Sequence, residues 1–393
     1  MKHLGDICKI NGAAVPAVDC IIGGSPCQDL SIAGKRAGLA GKRSGLFMEQ
    51  VRITKEMRQR DAEAGRTAQF VRPRYLVWEN VPGALTSNKG KDFAAVLEEI
   101  IRIVEPEAPG VEVPEKGWPT WGGYRDMDGR WSVAWRVLDA RYWGVPQRRR
   151  RIALVADFGG ESAHEILFVR KSLSGNPEPG GTERKAAPGS ARKSAENTGW
   201  CSKGTEEHGH QPVIYDIQQT SDDIRTYEGF SPTLTGRMGT GGNNVPLSFG
   251  IGNGQVCEAI QAKSTGGTSL NLQKVCRVNQ LVRRLTPMEC ERLQGYPDGW
   301  TDIGAWTDTK GKRHKESSDS ARYKALGNSI ALPPWKWVLK RLCAQYERDA
   351  TMASLFDGIG GFPLIWEQYN GQGSCLWASE IEEFPIAVTK RRF

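Results

Sequence analysis

The feature that most constrains this chain is a strand-turn-acid unit close to its C-terminal end. Ser354-Leu-Phe-Asp-Gly-Ile-Gly-Gly361 reads as a short apolar strand running into a glycine-rich turn. A second apolar run, Cys375-Leu-Trp-Ala378, closes on Glu380. A strand, a Gly-x-Gly-Gly turn, a helix and an acid about 20 residues further on form the opening unit of a dinucleotide-type fold. The glycines let backbone approach a ligand, and the acid can hold two ribose hydroxyls. Reactive chemistry sits at the opposite end of the chain, in Gly23-Gly-Ser-Pro-Cys-Gln28. If both halves line one site, the order of the chain is circularly permuted.

The sequence between them supports a sheet that could bring the halves together. Residues 1–158 alternate strand-like and helix-like segments. Val18-Asp-Cys-Ile-Ile-Gly23, Tyr75-Leu-Val-Trp78, Trp135-Arg-Val-Leu138 and Arg151-Ile-Ala-Leu-Val-Ala156 read as strands, and residues 45–60 and 91–104 carry apolar groups at helical spacing. Such alternation predicts an α/β fold with a mainly parallel sheet covered on both faces. The texture changes after Phe158. Residues 172–211 are rich in Gly, Pro, Ser, Lys and Glu, a composition that buries little apolar surface and reads as a loop. Residues 212–282 carry short strand-like pieces between Gly, Asn and Thr clusters, which predicts a small, loop-rich, mostly β unit. Leu285-Thr-Pro-Met-Glu-Cys-Glu-Arg-Leu-Gln294 then offers a Thr N-cap, Pro at the first helical position and acids in the first turn. Residues 332–347 predict another helix. The helix expected after Glu380 would lead into a further strand, and Met1–Ile7 looks like that strand, so the two termini are expected side by side.

Composition narrows the partners. A chain of 393 residues can bury a large core in two domains. A net charge of +8 suits a polyanionic partner and equally suits solvated surface lysines. No run of transmembrane length and no secretory leader is visible, so no membrane partner is expected. The nine cysteines are scattered without a Cys-x-x-Cys pair, which implies no zinc site, no disulfide framework and a reducing cytoplasm. His208-Gly-His210 reads as incidental, and no metal is expected.

Four constellations carry chemistry. Cys27 follows a strand broken by Gly23, Gly24 and Pro26, and a loop leaving the carboxyl end of a strand is where α/β sheets bind ligands. A thiolate there can act as a nucleophile, whereas Cys20 and Cys375 read as small buried hydrophobes. Glu79 ends the strand Tyr75–Trp78 and falls along the same sheet edge, where its carboxyl could donate to a ring nitrogen; the plain alternative is a capping or ion-paired glutamate. In Gln147-Arg-Arg-Arg-Arg-Ile152, alternation puts Arg149 and Arg151 on one face and Arg148 and Arg150 on the other, so one pair could face a phosphate or a base carbonyl. Residues 28–45 combine four glycines with four cations and read either as a flexible surface loop or as a lid that closes on an anionic backbone.

Taken together the motifs resemble the DNA cytosine-5 methyltransferase family. The resemblance rests on Pro26-Cys27-Gln28, Glu79-Asn80-Val81, Gln147 through Arg151, Arg284 through Pro297, Tyr323-Lys-Ala-Leu-Gly-Asn-Ser329 and Phe356-Asp-Gly-Ile-Gly360. It implies a Rossmann-like, S-adenosylmethionine-dependent sheet divided as 1–158, 284–350 and 351–393, with a target-recognition domain at 159–283. It implies catalytic roles for Cys27, Glu79, Arg149 and Arg151. S-adenosylmethionine would rest on Phe356, Gly358, Gly360, Glu380 and Ile381, with Asp6, Ile7, Pro26, Leu46, Asn328 and Ser329 completing the pocket. Double-stranded DNA would be held by Gln28, Ser31, Lys35, Arg36, Lys42 and Arg43, and its bases read by residues 231–245. The reaction implied is methyl transfer to carbon 5 of a flipped-out cytosine through a Cys27 adduct, by a monomer with a cognate restriction endonuclease. Family members usually begin with the Phe-x-Gly-x-Gly turn that here comes last, so the order is either a genuine permutation or a circular record cut within the gene. Rival expectations are an RNA methyltransferase, against which the long segment 160–282 argues, and a DNA-binding protein without turnover, against which intact Cys27, Glu79 and glycine turn argue.

Overall fold

The computed structural model describes residues 1–25, 45–168, 213–216, 225–228, 231, 233–234, 236, 247–251 and 280–393. Fourteen strands and eight α-helices lie within these residues. In chain order the first part holds β1 (Lys2–His3), β2 (Cys20–Gly23), α1 (Gly45–Glu63), β3 (Tyr75–Asn80), α2 (Lys91–Ile101), β4 (Trp121–Arg125), β5 (Ser132–Asp139), β6 (Arg150–Asp157) and α3 (Ser162–Leu167). There follow β7 (Val213–Asp216), β8 (Arg225–Glu228), β9 (Leu247–Ile251) and β10 (Gln280–Arg284). The last part holds α4 (Pro287–Gln294), β11 (Trp306–Thr307), β12 (Arg313–His314), α5 (Asp319–Asn328), α6 (Leu332–Cys343), β13 (Met352–Leu355), α7 (Gly361–Asn370), β14 (Cys375–Ser379) and α8 (Glu383–Arg392).

The main sheet has eight strands in the order β1-β14-β13-β2-β3-β6-β5-β4. The pairs from β1 to β3 are parallel and those from β3 to β4 antiparallel. The strand that opens the chain therefore pairs with one near its other end, through Lys2 opposite Trp377 and His3 opposite Ala378. The β13-α7-β14-α8 unit lies in the sheet between β1 and β2. The expectation that Met1–Ile7 adds a strand beside the C-terminal unit is met over Lys2–His3, and His3 Nε2 lies 2.7 Å from the Thr389 hydroxyl of α8. Asp19 ties the amino edge together. It accepts from Arg348 at 2.6 and 2.8 Å and from the Thr351 N–H at 2.8 Å. Although burial alone would raise the Asp19 pKa, the bonds from Arg348 and Thr351 hold it below the usual carboxylate value.

Local sequence explains these elements. All four residues of β2 and all four of β13 are buried, as expected of central parallel strands with helices on both faces. Helix α2 buries Phe93, Val96, Leu97 and Ile100 on one stripe. Helix α4 begins with a full capping box, Thr286 accepting from the Glu289 N–H while the Glu289 carboxylate accepts from the Thr286 N–H, and ends at Gly295 with φ of 80°. One face of the sheet is packed by α3, α4, α6 and α7 through residues such as Val77, Val155, Leu293, Trp335 and Trp366. The other is packed by α1 and α2 through Phe47, Trp78, Phe93 and Leu154, with Ile21, Ile53 and Leu355 alongside. Strand β4 was not foreseen. It is an edge strand whose Gly122 and Gly123 leave room for the Trp135 and His164 rings, and glycine pairs of this kind do not read as strand.

Outside the main sheet, β10-β9-β7-β8 form a four-stranded antiparallel sheet, in keeping with the β character expected of residues 212–282. Among the described residues, no helix is long and apolar enough to cross a membrane.

Candidate active site

Parallel strands present their carboxyl ends on one edge, and several of the described candidate residues lie there. Strand β13 ends at Leu355, after which Phe356, Gly358 and Gly360 all take left-handed backbone with φ of 56°, 56° and 78°. Two of the three are glycines, which carry no steric penalty there. A side chain at Gly360 would stand 2.7 Å from the Phe393 ring, so the turn is fitted closely against α8. Glu380, just past the end of β14, accepts from the Gly358 N–H at 2.7 Å, the Ile381 N–H at 2.8 Å and the Glu382 N–H at 2.9 Å. A carboxylate has about four acceptor positions, so one remains for a ligand hydroxyl. Ile381 stands beside it, 69% exposed.

Asp6 and Ile7 join the same edge. The Ser379 hydroxyl donates to the Gly5 carbonyl at 2.7 Å and the Leu4 N–H to the Ala378 carbonyl at 2.8 Å, which pins the segment after β1 against the end of β14. Leu46 and Phe356 pack against the apolar cluster that contains Ile7. Ser329 approaches from the other side. Its hydroxyl lies 2.5 Å from the Tyr296 hydroxyl, and the absent side chain of Gly361 leaves the space that Tyr296 fills.

The second half of the edge belongs to β2 and β3. The register sets Gly23 beside Leu355 on one flank and Trp78 on the other. Ser25 is the last described residue before the segment that carries the cysteine. Its hydroxyl accepts from the Trp78 indole at 3.1 Å. Glu79 pairs with Arg151, Oε1 to Nε at 2.7 Å, with both side chains mostly buried. The other oxygen of Glu79 would touch any side chain added at Gly24, at 2.7 Å. Gly23 and Gly24 are thus small because Gln50 and Glu79 occupy the space beside them.

Arg149 and Arg151 differ in surroundings. Arg149 is 2% exposed and donates to the backbone carbonyls of Leu234 at 2.8 Å, Gly327 at 3.1 Å and Ser329. Its guanidinium meets Leu234 and the α5–α6 junction while Arg151 meets Glu79, so the two arginines share the less exposed face, with Arg148 and Arg150 exposed, and differ in their partners. Pro26, Cys27, Gln28, Ser31, Lys35, Arg36, Lys42 and Arg43 lie outside the described residues, as does most of 231–245.

Some site residues escaped the sequence reading. Gln50 is buried and donates to the Val77 carbonyl at 3.1 Å. Asp357 is 5% exposed, neither carboxyl oxygen has a hydrogen-bond partner among the described residues, and burial, opposed by the nearby Ser354 hydroxyl and reinforced by the Glu380 charge, pushes its pKa up to about 8. A charged residue inside an otherwise apolar and glycine turn was the available signal for Asp357. Gln50 had none, because it sits in an ordinary helical stretch.

Against known proteins, the family described as C-5 cytosine-specific DNA methylase matches residues 1–103 and 125–344. The DNA N-6-adenine-methyltransferase of Escherichia phage P1 is 28% identical over 442 aligned residues, covering 89% of this chain and 57% of that protein. Type II methyltransferase M1.ScrFI of Lactococcus lactis subsp. cremoris is 25% identical over 348 residues, covering 88% of this chain and 67% of that protein. The chain thus spans 57 to 67% of the length of these two curated relatives. The crystal structure of S. pombe Dnmt2 methyltransferase aligns over 86% of this chain and 83% of that chain, with 14% identity and a TM-score of 0.43.

Proposed function

The chain belongs to the C-5 cytosine-specific DNA methylase family, and from that premise we propose that it transfers a methyl group to carbon 5 of a flipped-out cytosine in duplex DNA. The observation that carries the reading is the register of β2 against β13. It starts the Cys27 segment one strand, about 5 Å, from the glycine turn, with Glu79 and Arg151 on the next strands of the same edge.

Carbon 5 of cytosine is a weak nucleophile. In this reading the Cys27 thiolate adds to carbon 6, which makes carbon 5 electron-rich, and Glu79 hydrogen-bonds ring nitrogen 3 of the activated base. Arg151 orients Glu79 through its 2.7 Å bond and, with Nη1 donating to the Arg150 carbonyl at 2.8 Å, offers its other Nη to the base carbonyl. Loss of the carbon 5 proton then expels the thiolate and restores the ring. S-adenosylmethionine, when bound, supplies the methyl group as an electrophilic carbon on sulfur. The turn fits it: Gly358 and Gly360 let backbone approach, Glu380 keeps an acceptor position for the ribose, and Ile381 offers an exposed apolar face. Phe356, Asp6, Ile7, Leu46, Asn328 and Ser329, with Pro26, would complete that pocket. Gln28, Ser31, Lys35, Arg36, Lys42 and Arg43 would hold the DNA backbone.

The same reading takes the chain as circularly permuted, divided into a catalytic part at 1–158, 284–350 and 351–393 and a recognition domain at 159–283. The place of β13-α7-β14-α8 between β1 and β2 supports it. It also takes the protein as a cytoplasmic monomer, with a restriction endonuclease as cognate partner.

The phage P1 relative is named for transfer to adenine N6, where an exocyclic amine can attack the methyl directly and needs no thiol. The test separates the two chemistries. DNA from cells expressing the chain should show 5-methylcytosine in one sequence context by bisulfite sequencing, and Cys27→Ser should abolish it while DNA binding persists. Methylation confined to adenine or to tRNA, or undiminished methylation by Cys27→Ser, would overturn the proposal.

A further inference from the structure

Arg149 bridges two parts of the chain that the sequence separates widely. One Nη donates to the Leu234 carbonyl at 2.8 Å, and the other donates to Gly327 at 3.1 Å and to Ser329. Its own backbone is fixed from behind, since the Arg149 N–H donates to Asp139 Oδ1 at 3.2 Å and the Ala140 N–H donates to the Arg149 carbonyl at 3.0 Å. The neighbouring stretch is stitched to the same crossing. The Arg148 N–H donates to the Ser231 carbonyl at 2.9 Å, the Ser231 N–H to the Pro146 carbonyl at 2.6 Å, and the Thr233 hydroxyl to the Arg148 carbonyl at 2.5 Å. Gly236 passes so close to the Asn328 amide that a side chain there would collide with it.

On the far side, this contact continues to the glycine turn. Ser329, whose carbonyl Arg149 holds, shares its hydroxyl with Tyr296, and Tyr296 fills the space over Gly361 at the start of α7. Two carbonyls of the α5–α6 junction and one of the recognition segment therefore hang on a single guanidinium. That plane is rigid and carries five donors in fixed directions, whereas a lysine ammonium is one compact point that cannot span both segments.

We propose that Arg149 is a positioning residue that couples the recognition segment to the donor side of the site, so that DNA bound beside Ser231, Thr233, Leu234 and Gly236 sets the Asn328–Ser329 junction for S-adenosylmethionine. The proposal rests on the cytosine methyltransferase reading above. It predicts reciprocal coupling: DNA should tighten the donor side, and the donor side should tighten DNA by the same factor.

The experiment measures S-adenosylhomocysteine affinity by calorimetry, with and without a duplex carrying the sequence that bisulfite sequencing identifies. The wild-type chain should bind about tenfold tighter with DNA present. In Arg149→Lys that factor should fall close to one, while affinity without DNA stays near the wild-type value. Gly236→Ala, which sets a side chain against the Asn328 amide and leaves Arg149 intact, should lose the factor too. A purely structural Arg149 would lower the melting temperature and leave the factor unchanged. Wild-type coupling retained in both variants, or no coupling in the wild-type chain, would overturn the inference. A wild-type chain that makes no 5-methylcytosine would instead overturn the reading beneath it.

Discussion

In the proposed reading, donor-side geometry at the glycine turn is set by backbone, whereas base-side geometry at Glu79 is set by side chains. Gly358 and Gly360 hold left-handed conformations, and Glu380 is fastened by three backbone N–H groups. Glu79 is held by the Arg151 side chain, which itself donates to the Arg150 carbonyl. The two halves should therefore respond differently to substitution. Damage to the base side should cost rate and leave the fold, while damage to the turn should cost stability and donor binding together.

The largest expected effect is on the base side. Glu79→Gln keeps the shape and removes the charge, and methyl transfer should slow by about 10²- to 10⁴-fold, the range for losing a proton-handling group. Steady-state assays with labelled donor read the rate, and circular dichroism should show a melting temperature close to wild type. A large melting shift with little change in rate would make Glu79 a structural residue and erase the contrast.

Next comes the turn. Gly360→Ala forces a side chain into φ of 78° and against Phe393 at 2.7 Å. Urea unfolding should show a loss of about 2 kcal/mol, within the range for a strained left-handed residue, and donor affinity should fall with it. Unchanged stability would show that the turn has slack that the packing of Phe393 does not suggest.

The smallest effect, counted per pH unit, sharpens the donor half alone. Asp357 has a folded pKa of about 8 against an ordinary value of 3.8. The native state therefore holds one more proton than the unfolded chain between those values. Stability should fall as pH rises through that window, by up to about 1.4 kcal/mol per pH unit, and level off above pH 8. Asp357→Asn should flatten that slope. Equal slopes in the two proteins would mean that Asp357 ionises normally.

The same contrast explains what was legible in the sequence. The turn announced itself because left-handed backbone demands glycine at fixed spacing, and the capping box of α4 because Thr286 and Glu289 sit three apart. Strand ends that carry Glu79 and Ser25 followed from continuous apolar runs. What escaped depends on distant pieces of chain meeting. Arg149 looked equivalent to Arg151 by alternation, and only the carbonyls of Leu234, Gly327 and Ser329 separate them. Gln50 matters because Gly23 lies against it, which no local pattern encodes. Strand β4 was hidden by glycines that make room for Trp135 and His164, and residues 104–124, which hold most of it, also fall outside the family match.

Trapping tests most directly whether both halves serve one reaction. A duplex carrying 5-fluorocytosine at the target position cannot lose fluorine as it loses a proton, so a methylated adduct should remain attached to the protein. The account predicts a covalent complex that forms only with S-adenosylmethionine present and whose modified peptide contains Cys27. A chain that methylates ordinary duplex but forms no such complex, or one whose adduct maps to another cysteine, would contradict it.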